Sequence, residues 1–306
     1  MALVAGGYAL GNRTDLGDAA AASTQQSNHA AMSTRKEGDD MNMTTNAPGA
    51  LPQGLAVTEN GYTLSLPATA PAAGKQKVSF QIIGPDGKPV TAYEKTHEQD
   101  LHLVAVRQDF ADFQHVHPVL DTATGSWSVD LNLAPGTWRI FTDFVPAGRD
   151  DMVLASDLLV AGNPGRQSLP PPQRVATVDG YTVTVTGHLV AGQHSMLDFH
   201  VTRDGNPVAD LQPYLGAYGH LVALREGDLA YLHVHPGGEP GDGVTKPGPD
   251  IGFGTEVPSA ARYHLFLDFQ IDGVVRTAPF TLDAQPGTPT ASPGSSVGQQ
   301  PTHHNH

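Results

Sequence analysis

The sequence predicts an all-β protein built from two tandem β-sandwich domains. Three observations carry this: short runs of alternating apolar and polar residues, frequent glycine and proline, and an internal repeat that spans most of the chain. Gly 34 and Pro 25 among 306 residues make turns frequent, and no segment sustains a 3.6-residue apolar period. The length accommodates two ordinary domains.

In chain order, period-2 runs fall at Tyr62–Leu66, Val78–Ile82, Leu101–Val106, Trp127–Leu133, Trp138–Phe144 and Val153–Val160. Alternation of this kind suits strands with one face buried. Pro85-Asp86-Gly87 and Pro135-Gly136 supply turn chemistry between them. Six or seven short strands in roughly a hundred residues point to an immunoglobulin-like sandwich. The domains are placed at 59–161 and 174–284. Residues 1–58, without apolar periodicity from residue 11 onward, read as a disordered linker, and residues 285–306 as a disordered tail ending in His303, His304 and His306. Residues 162–173 form a proline-rich linker that includes Pro170, Pro171 and Pro172. The apolar stretch Met1–Leu10 is too short to span a membrane and reads as an ordinary N-terminus or the remnant of a signal or anchor.

The second domain repeats the first. Gly61-Tyr62-Thr63-Leu64 answers to Gly180-Tyr181-Thr182-Val183, and Asp86 to Val90 answers to Asp204 to Val208. An ungapped match follows. His102-Leu103-Val104-Ala105-Val106-Arg107 pairs with His220-Leu221-Val222-Ala223-Leu224-Arg225, and Phe113 to Pro118 pairs with Tyr231 to Pro236. The first and last histidines are 15 residues apart in both copies, and Phe141-Thr142-Asp143-Phe144 matches Phe266-Leu267-Asp268-Phe269. Matching apolar residues need only a shared fold. Matching histidines and aspartates ask for more, since histidine is neither a favoured core residue nor a turn former.

Residues i and i+2 of a strand share a face, so His115 and His117 are expected to point together, as are His233 and His235. His102 and His220 start the preceding strand of each hairpin and can fold back beside these pairs. Asp143 and Asp268 lie on a later strand, as ligands or as groups that orient a ligand histidine. Each copy is thus expected to hold one metal ion. His97, five residues before His102, has Leu215 as its counterpart and is an additional candidate in the first copy only. The alternative is a buried His/Asp/Tyr network that stabilises the sandwich. His188, His194, His200 and His264 lack a histidine partner in the other copy and read as surface or structural. The loop from Gly237 to Asp250 could cover the second site. His29, Met32, Met41 and Met43 in the N-terminal segment form a looser pattern that soft-metal scavenging segments also show, though more often incidental.

With no cysteine, disulfides, thiolate sites and thiol catalysis are excluded, and donors must be nitrogen, oxygen or thioether. Imidazole and carboxylate suit Cu(II), Zn(II) or Ni(II), with the divalent affinity order favouring copper. The net charge of -14 argues against a nucleic-acid partner.

The segments HEQDLHLVAVRQDFADFQHVHP at 97–118 and GHLVALREGDLAYLHVHP at 219–236 resemble a motif of bacterial secreted or membrane-anchored heavy-metal-associated (heavy-metal-binding) proteins. The resemblance covers most of the first copy. It implies a cupredoxin- or copper-carrier-like sandwich, a secreted or membrane-anchored extracytoplasmic location, and copper held by His102, His115, His117 and Asp143 and their repeats. It also implies an envelope metal transporter or acceptor protein as partner. The reading is a non-catalytic metal chaperone, buffer or resistance factor. Two other readings stand beside it. One is a cupin-like metalloenzyme, since Gly227, His233, His235 and Glu239 fit the first half of that motif, although Asp109 replaces the glycine in the first copy and the second half is missing. The other is a purely structural pair of immunoglobulin-like interaction modules.

Overall fold

The computed structural model describes residues 52–287 apart from 68, 69, 166, 167 and 233. His233, the tail histidines, and the histidine and methionines before residue 52 lie outside the described residues. No helix occurs among the described residues, and none is long and apolar enough to cross a membrane.

The first module runs β1 (Thr58–Glu59), β2 (Tyr62–Ser65), β3 (Gly74–Ile83), β4 (Tyr93–Glu94) and β5 (His102–Arg107). It continues with β6 (Phe113–Val116), β7 (Val119–Asp121), β8 (Ser126–Leu133), β9 (Gly136–Pro146) and β10 (Met152–Val160). The second module runs β11 (Val175–Val178), β12 (Tyr181–Gly187), β13 (His194–Arg203), β14 (Asn206–Pro207) and β15 (His220–Arg225). Then come β16 (Tyr231–Leu232), β17 (Val234–Pro236), β18 (Asp250–Glu256), β19 (Arg262–Ile271) and β20 (Val274–Asp283).

Each module is a two-sheet sandwich. The outer sheets have the orders β1-β2-β3-β8-β7 and β11-β12-β13-β18-β17, and the inner sheets β10-β9-β5-β6 and β20-β19-β15-β16. The pairing of an A-B-E-D sheet with a G-F-C-C′ sheet defines an immunoglobulin-like fold, here without the inter-sheet disulfide. Inward residues of alternating strands fill the two cores. Trp127, Trp138 and Phe144 dominate the first, and Phe199, Phe253, Phe269 and Phe280 the second.

The modules pack face to face through their inner sheets. A third apolar cluster comprises Val104, Val106, Phe110, Phe141, Val153 and Ala155 of the first module with Val222, Leu224, Leu229, Tyr231 and Phe266 of the second. Its ring pairs exchange under the repeat: Phe113 stacks on Phe266 at 3.9 Å, and their counterparts Tyr231 and Phe141 meet at 5.5 Å. The interface is therefore pseudo-two-fold. It explains why all six residues of β5 are buried. A strand covered on both faces reads as a continuous apolar run, as His102-Leu103-Val104-Ala105-Val106 does, where a half-exposed strand would alternate.

Residues 52–57, expected to belong to the linker, are threaded into this interface. Gln53 forms a β-bridge with Tyr231, Gly54 donates to the carbonyl of Val153, and Ala155 donates to that of Ala56. Gly54 sits at φ +70°, and a Cβ there would lie 2.8 Å from the Phe141 ring and from Tyr231 Cβ. Only glycine suits that passage on both counts.

Candidate metal centre at the module interface

The alternation of β5 sends Leu103 and Ala105 into the module core and His102, Val104 and Val106 toward the other module. His115 lies opposite Val104 in the β5–β6 ladder, so it shares that face. His117 follows two residues later. The ring centroids of His102 and His117 are 4.9 Å apart, those of His102 and His115 5.4 Å, and those of His115 and His117 5.2 Å. One nitrogen from each ring can be chosen so that all three lie within 4.8 Å of one another. The first expected trio is thus assembled.

The second is not assembled among the described residues. His220 faces the interface and joins the first module's group. Its ring stacks on His102 at 5.5 Å with 10° between planes, and it touches His115 at 5.0 Å and His97 at 5.2 Å. His235 points elsewhere. In the first module the chain stays on the inner sheet through Val116; in the second, among the described residues, Tyr231 and Leu232 pair with β15 and Val234 has already joined the outer sheet. His235 lies opposite Gly254 and is exposed. Among the described residues, His220 of the second module thus stands with the first module's trio.

The aspartates reach across the interface. Asp268, opposite His220 in the β15–β19 ladder, accepts a hydrogen bond from His115 Nδ1 at 2.8 Å and another from the Thr277 hydroxyl at 2.5 Å. Asp143, opposite His102, is hydrogen-bonded to Tyr231. Both aspartates thus bond a residue of the other module's β6 or β16, and Asp268 buttresses the histidine cluster from behind.

His97 occupies a two-residue hairpin turn in which Thr96 and Gln99 exchange backbone hydrogen bonds. Both central residues are left-handed, His97 at φ 48° and Glu98 at φ 68°. Such turns favour Asn-Gly, so a histidine there carries backbone strain of about 1–3 kcal/mol. The turn holds its ring 6.0 Å from His102. In the second module the same turn carries Leu215 and Gly216, and its Tyr214 lies 6.3 Å from His117.

The hydrogen bonds fix which nitrogens face inward. His102 Nε2 is 3.0 Å from the Thr96 carbonyl, which only accepts, so that nitrogen carries the proton and Nδ1 is left with its lone pair. His115 Nδ1 donates to a carboxylate oxygen of Asp268 at 2.8 Å, which leaves Nε2 to present its lone pair. These two inward atoms are 3.1 Å apart. Two lone pairs at that distance repel unless one proton or one cation sits with them. His117 Nε2 and His220 Nδ1 are buried and accept or donate no hydrogen bond among the described residues. Burial, and then the charge of neighbouring His115, push His102 down to about 3 and His117 to about 4. The same causes hold His220 well below the ordinary imidazole range. Burial and then Asp268 push the Tyr214 phenol up to about 12. The rings of His102, His117 and His220 are therefore held toward the neutral form that a metal requires.

The imidazole nitrogens of His102, His115 and His117, with no thiolate among them, suit Cu(II), Zn(II) or Ni(II). Bonds of ~2.0 Å at tetrahedral angles place donors about 3.3 Å apart. The 3.1 Å between His102 Nδ1 and His115 Nε2 matches that spacing, and His117 needs only a side-chain adjustment.

Of the other histidines, His264 is buried. It bonds Glu226 at 2.9 Å and the Thr281 hydroxyl at 3.2 Å, and Phe110 of the other module stacks on it at 3.7 Å. His188 and His194 are exposed, and His200 pairs with Asp250 at 2.6 Å. Gly227 and Glu239, the cupin-motif candidates, belong to exposed turns. The signal that could have joined His220 to the first trio was the apolar run shared by β5 and β15, which announces a covered outer face.

Fold and site define a duplicated immunoglobulin-like protein with a histidine centre between its modules. The family model "Domain of unknown function (DUF8832)" matches residues 56–156 and 176–286, and the chain belongs to this family. No curated protein matches the sequence. Among solved structures, the bacterial integrin-binding protein invasin is similar at 10% identity, covering 76% of this chain and 41% of that one, with a TM-score of 0.22. Salmonella alpha-2-macroglobulin matches at 14% identity over 76% of this chain and 16% of that one, TM-score 0.25. A putative membrane anchored protein from Corynebacterium diphtheriae matches at 12% identity over 76% and 60%, TM-score 0.21. The chain thus spans less than half of the first two relatives. At such scores these likenesses carry no argument about function.

Proposed function

We propose that this protein is a non-catalytic, extracytoplasmic metal-binding protein that holds one divalent transition-metal ion, copper by preference, between its two modules. The observation that carries the reading is the inward pair His102 Nδ1 and His115 Nε2. Thr96 and Asp268 orient both as bare donors, 3.1 Å apart, beside the unpartnered nitrogens of His117 and His220. A carbonyl and a carboxylate behind ligand histidines are what sets tautomer and basicity in metal sites. The resemblance of 97–118 to heavy-metal-associated proteins points to metal association, and a chaperone, buffer or resistance role with an envelope transporter or acceptor protein as partner is the use we propose for the site. His97 is a reserve donor at the rim.

A second reading rests on a different feature of the same residues. With one extra proton, Thr96, His102, His115, Asp268 and Thr277 form an unbroken hydrogen-bond relay from one module to the other. The cluster would then be a polar lock in a structural pair of immunoglobulin-like modules. Isothermal titration of the full chain with Cu(II) and Zn(II), with His303, His304 and His306 changed to Ala, separates the two. The metal reading expects an equivalent that His117→Ala and His220→Ala both remove. Affinity weaker than about 1 mM for both metals, worth only about 4 kcal/mol, leaves the polar lock.

A further inference from the structure

A different set of donors gathers on the opposite face of the second module. On β13 the burial alternates so that His194 and Met196 project outward, and both are exposed. Met196 lies opposite Gly254 of β18, and His235 of β17 lies opposite Gly254 from the other side. Cross-strand partners share a face, so Met196, Gly254 and His235 form one row with His194 beside it.

Gly254 is the floor of this row. Its backbone is ordinary strand, so nothing conformational requires glycine there. Space does. His194 Nε2 is 2.9 Å, and Met196 Sδ 3.5 Å, from the point a Cβ on residue 254 would occupy. An imidazole nitrogen and a thioether sulfur thus converge over a bare stretch of backbone, and the His235 ring stands on the neighbouring strand about 5 Å away.

We propose that His194, Met196 and His235 form a second, solvent-facing metal site for a soft monovalent ion, Cu(I) above all. A thioether adds little to Cu(II) or Zn(II) binding but is a good ligand for Cu(I), and two imidazoles complete a three-coordinate set. The site stands independently of the interface centre and shares no residue with the group around His102.

The test uses Ag(I), a redox-inert stand-in for Cu(I), and the ε-methyl resonances of Met in the full chain. The Met196 signal is identified by its loss in Met196→Leu. It is expected to shift at the first equivalents of Ag(I) in the wild type and equally in His117→Ala, which disables only the interface centre. The shift should be lost in His235→Ala and His194→Ala. Gly254→Ala, which removes no donor but displaces the His194 ring, should also abolish it. If the Met196 methyl is unmoved when Ag(I) binds elsewhere, or shifts equally without His194 and His235, the side chains only cover the glycine and the proposal is overturned. If the shift vanishes in His117→Ala, it reports the interface centre, and the second site is equally overturned.

Discussion

Replacing Asp268 with Ala tests the centre where its two readings make contact. Asp268 is 2% exposed and the His115 side chain 1%, so both groups lie away from bulk water. The substitution strands the His115 Nδ1 proton and the Thr277 hydroxyl. A buried donor without an acceptor costs about 1–3 kcal/mol, so the pair together cost about 3 kcal/mol. For a cooperative unit of this size that lowers Tm by about 6–12 °C. The metal arm is separate. Without the carboxylate, nothing holds His115 in the tautomer that offers Nε2, and loss of such a support weakens binding about 10–100-fold. Scanning calorimetry in chelator measures the first arm and Cu(II) titration the second. Asp268→Asn is the control, since its carbonyl still accepts from His115 and Tm should largely recover. A fall in Tm with unchanged Cu(II) affinity leaves only the polar lock. A Tm within about 2 °C of wild type refutes the burial argument itself.

The metal-free protein should lose stability as pH falls from 6.5 toward about 4, as followed by urea melts at stepped pH. His102, His117 and His220 have folded values below 6.5, so the unfolded chain binds more protons in that window and stability rises with pH across it. Cu(II) affinity should weaken in the same direction, because protons compete for the same nitrogens. Phe110→Ala removes the ring stacked on His264 and should cost about 3 kcal/mol, read as a lower denaturant midpoint and earlier separation of the modules in hydrogen exchange. Gly54→Val forces a side chain into Phe141 and Tyr231 at a left-handed position. It should cost about 1–3 kcal/mol in the same melts while leaving the strands of both modules intact by circular dichroism.

Much of this was legible in the sequence, for identifiable reasons. The strands follow from period-2 alternation and turn residues, and the immunoglobulin-like topology from their number and order. The first trio follows from the side-chain period of a strand, which puts His115 and His117 on one face, and from the hairpin that returns to His102. What the repeat concealed is that equal sequences need not have equal surroundings. His233 and His235 match His115 and His117 residue for residue. Yet by Val234 the chain of the second module has joined the outer sheet, and His235 lies opposite Gly254 on its exposed face. No propensity distinguishes the copies there. The longer Gly237 to Asp250 loop, read as a cover, is the nearest hint. His264 looked unpartnered because its partners, Glu226 and Thr281, are polar residues on neighbouring strands, and its cover, Phe110, comes from the other module.

The asymmetry of the centre follows from the symmetry of the interface. In an isologous contact, a residue near the two-fold axis meets its own counterpart. His102 and His220 do so, stacked within 10° of parallel. Residues further from the axis meet different partners, and here the two halves diverge. Asp268 is held by Thr277, but Val153, opposite Asp143, has no hydroxyl to offer. Tyr231 supplies Asp143 with a phenol, where Phe113 offers Asp268 nothing and leaves His115 to bond it. His97 stands at the rim on one side and Leu215 on the other. Among the described residues, the first module thus contributes the rings of His97, His102, His115 and His117 to this group, and the second module adds the ring of His220 and the carboxylate of Asp268 that holds His115.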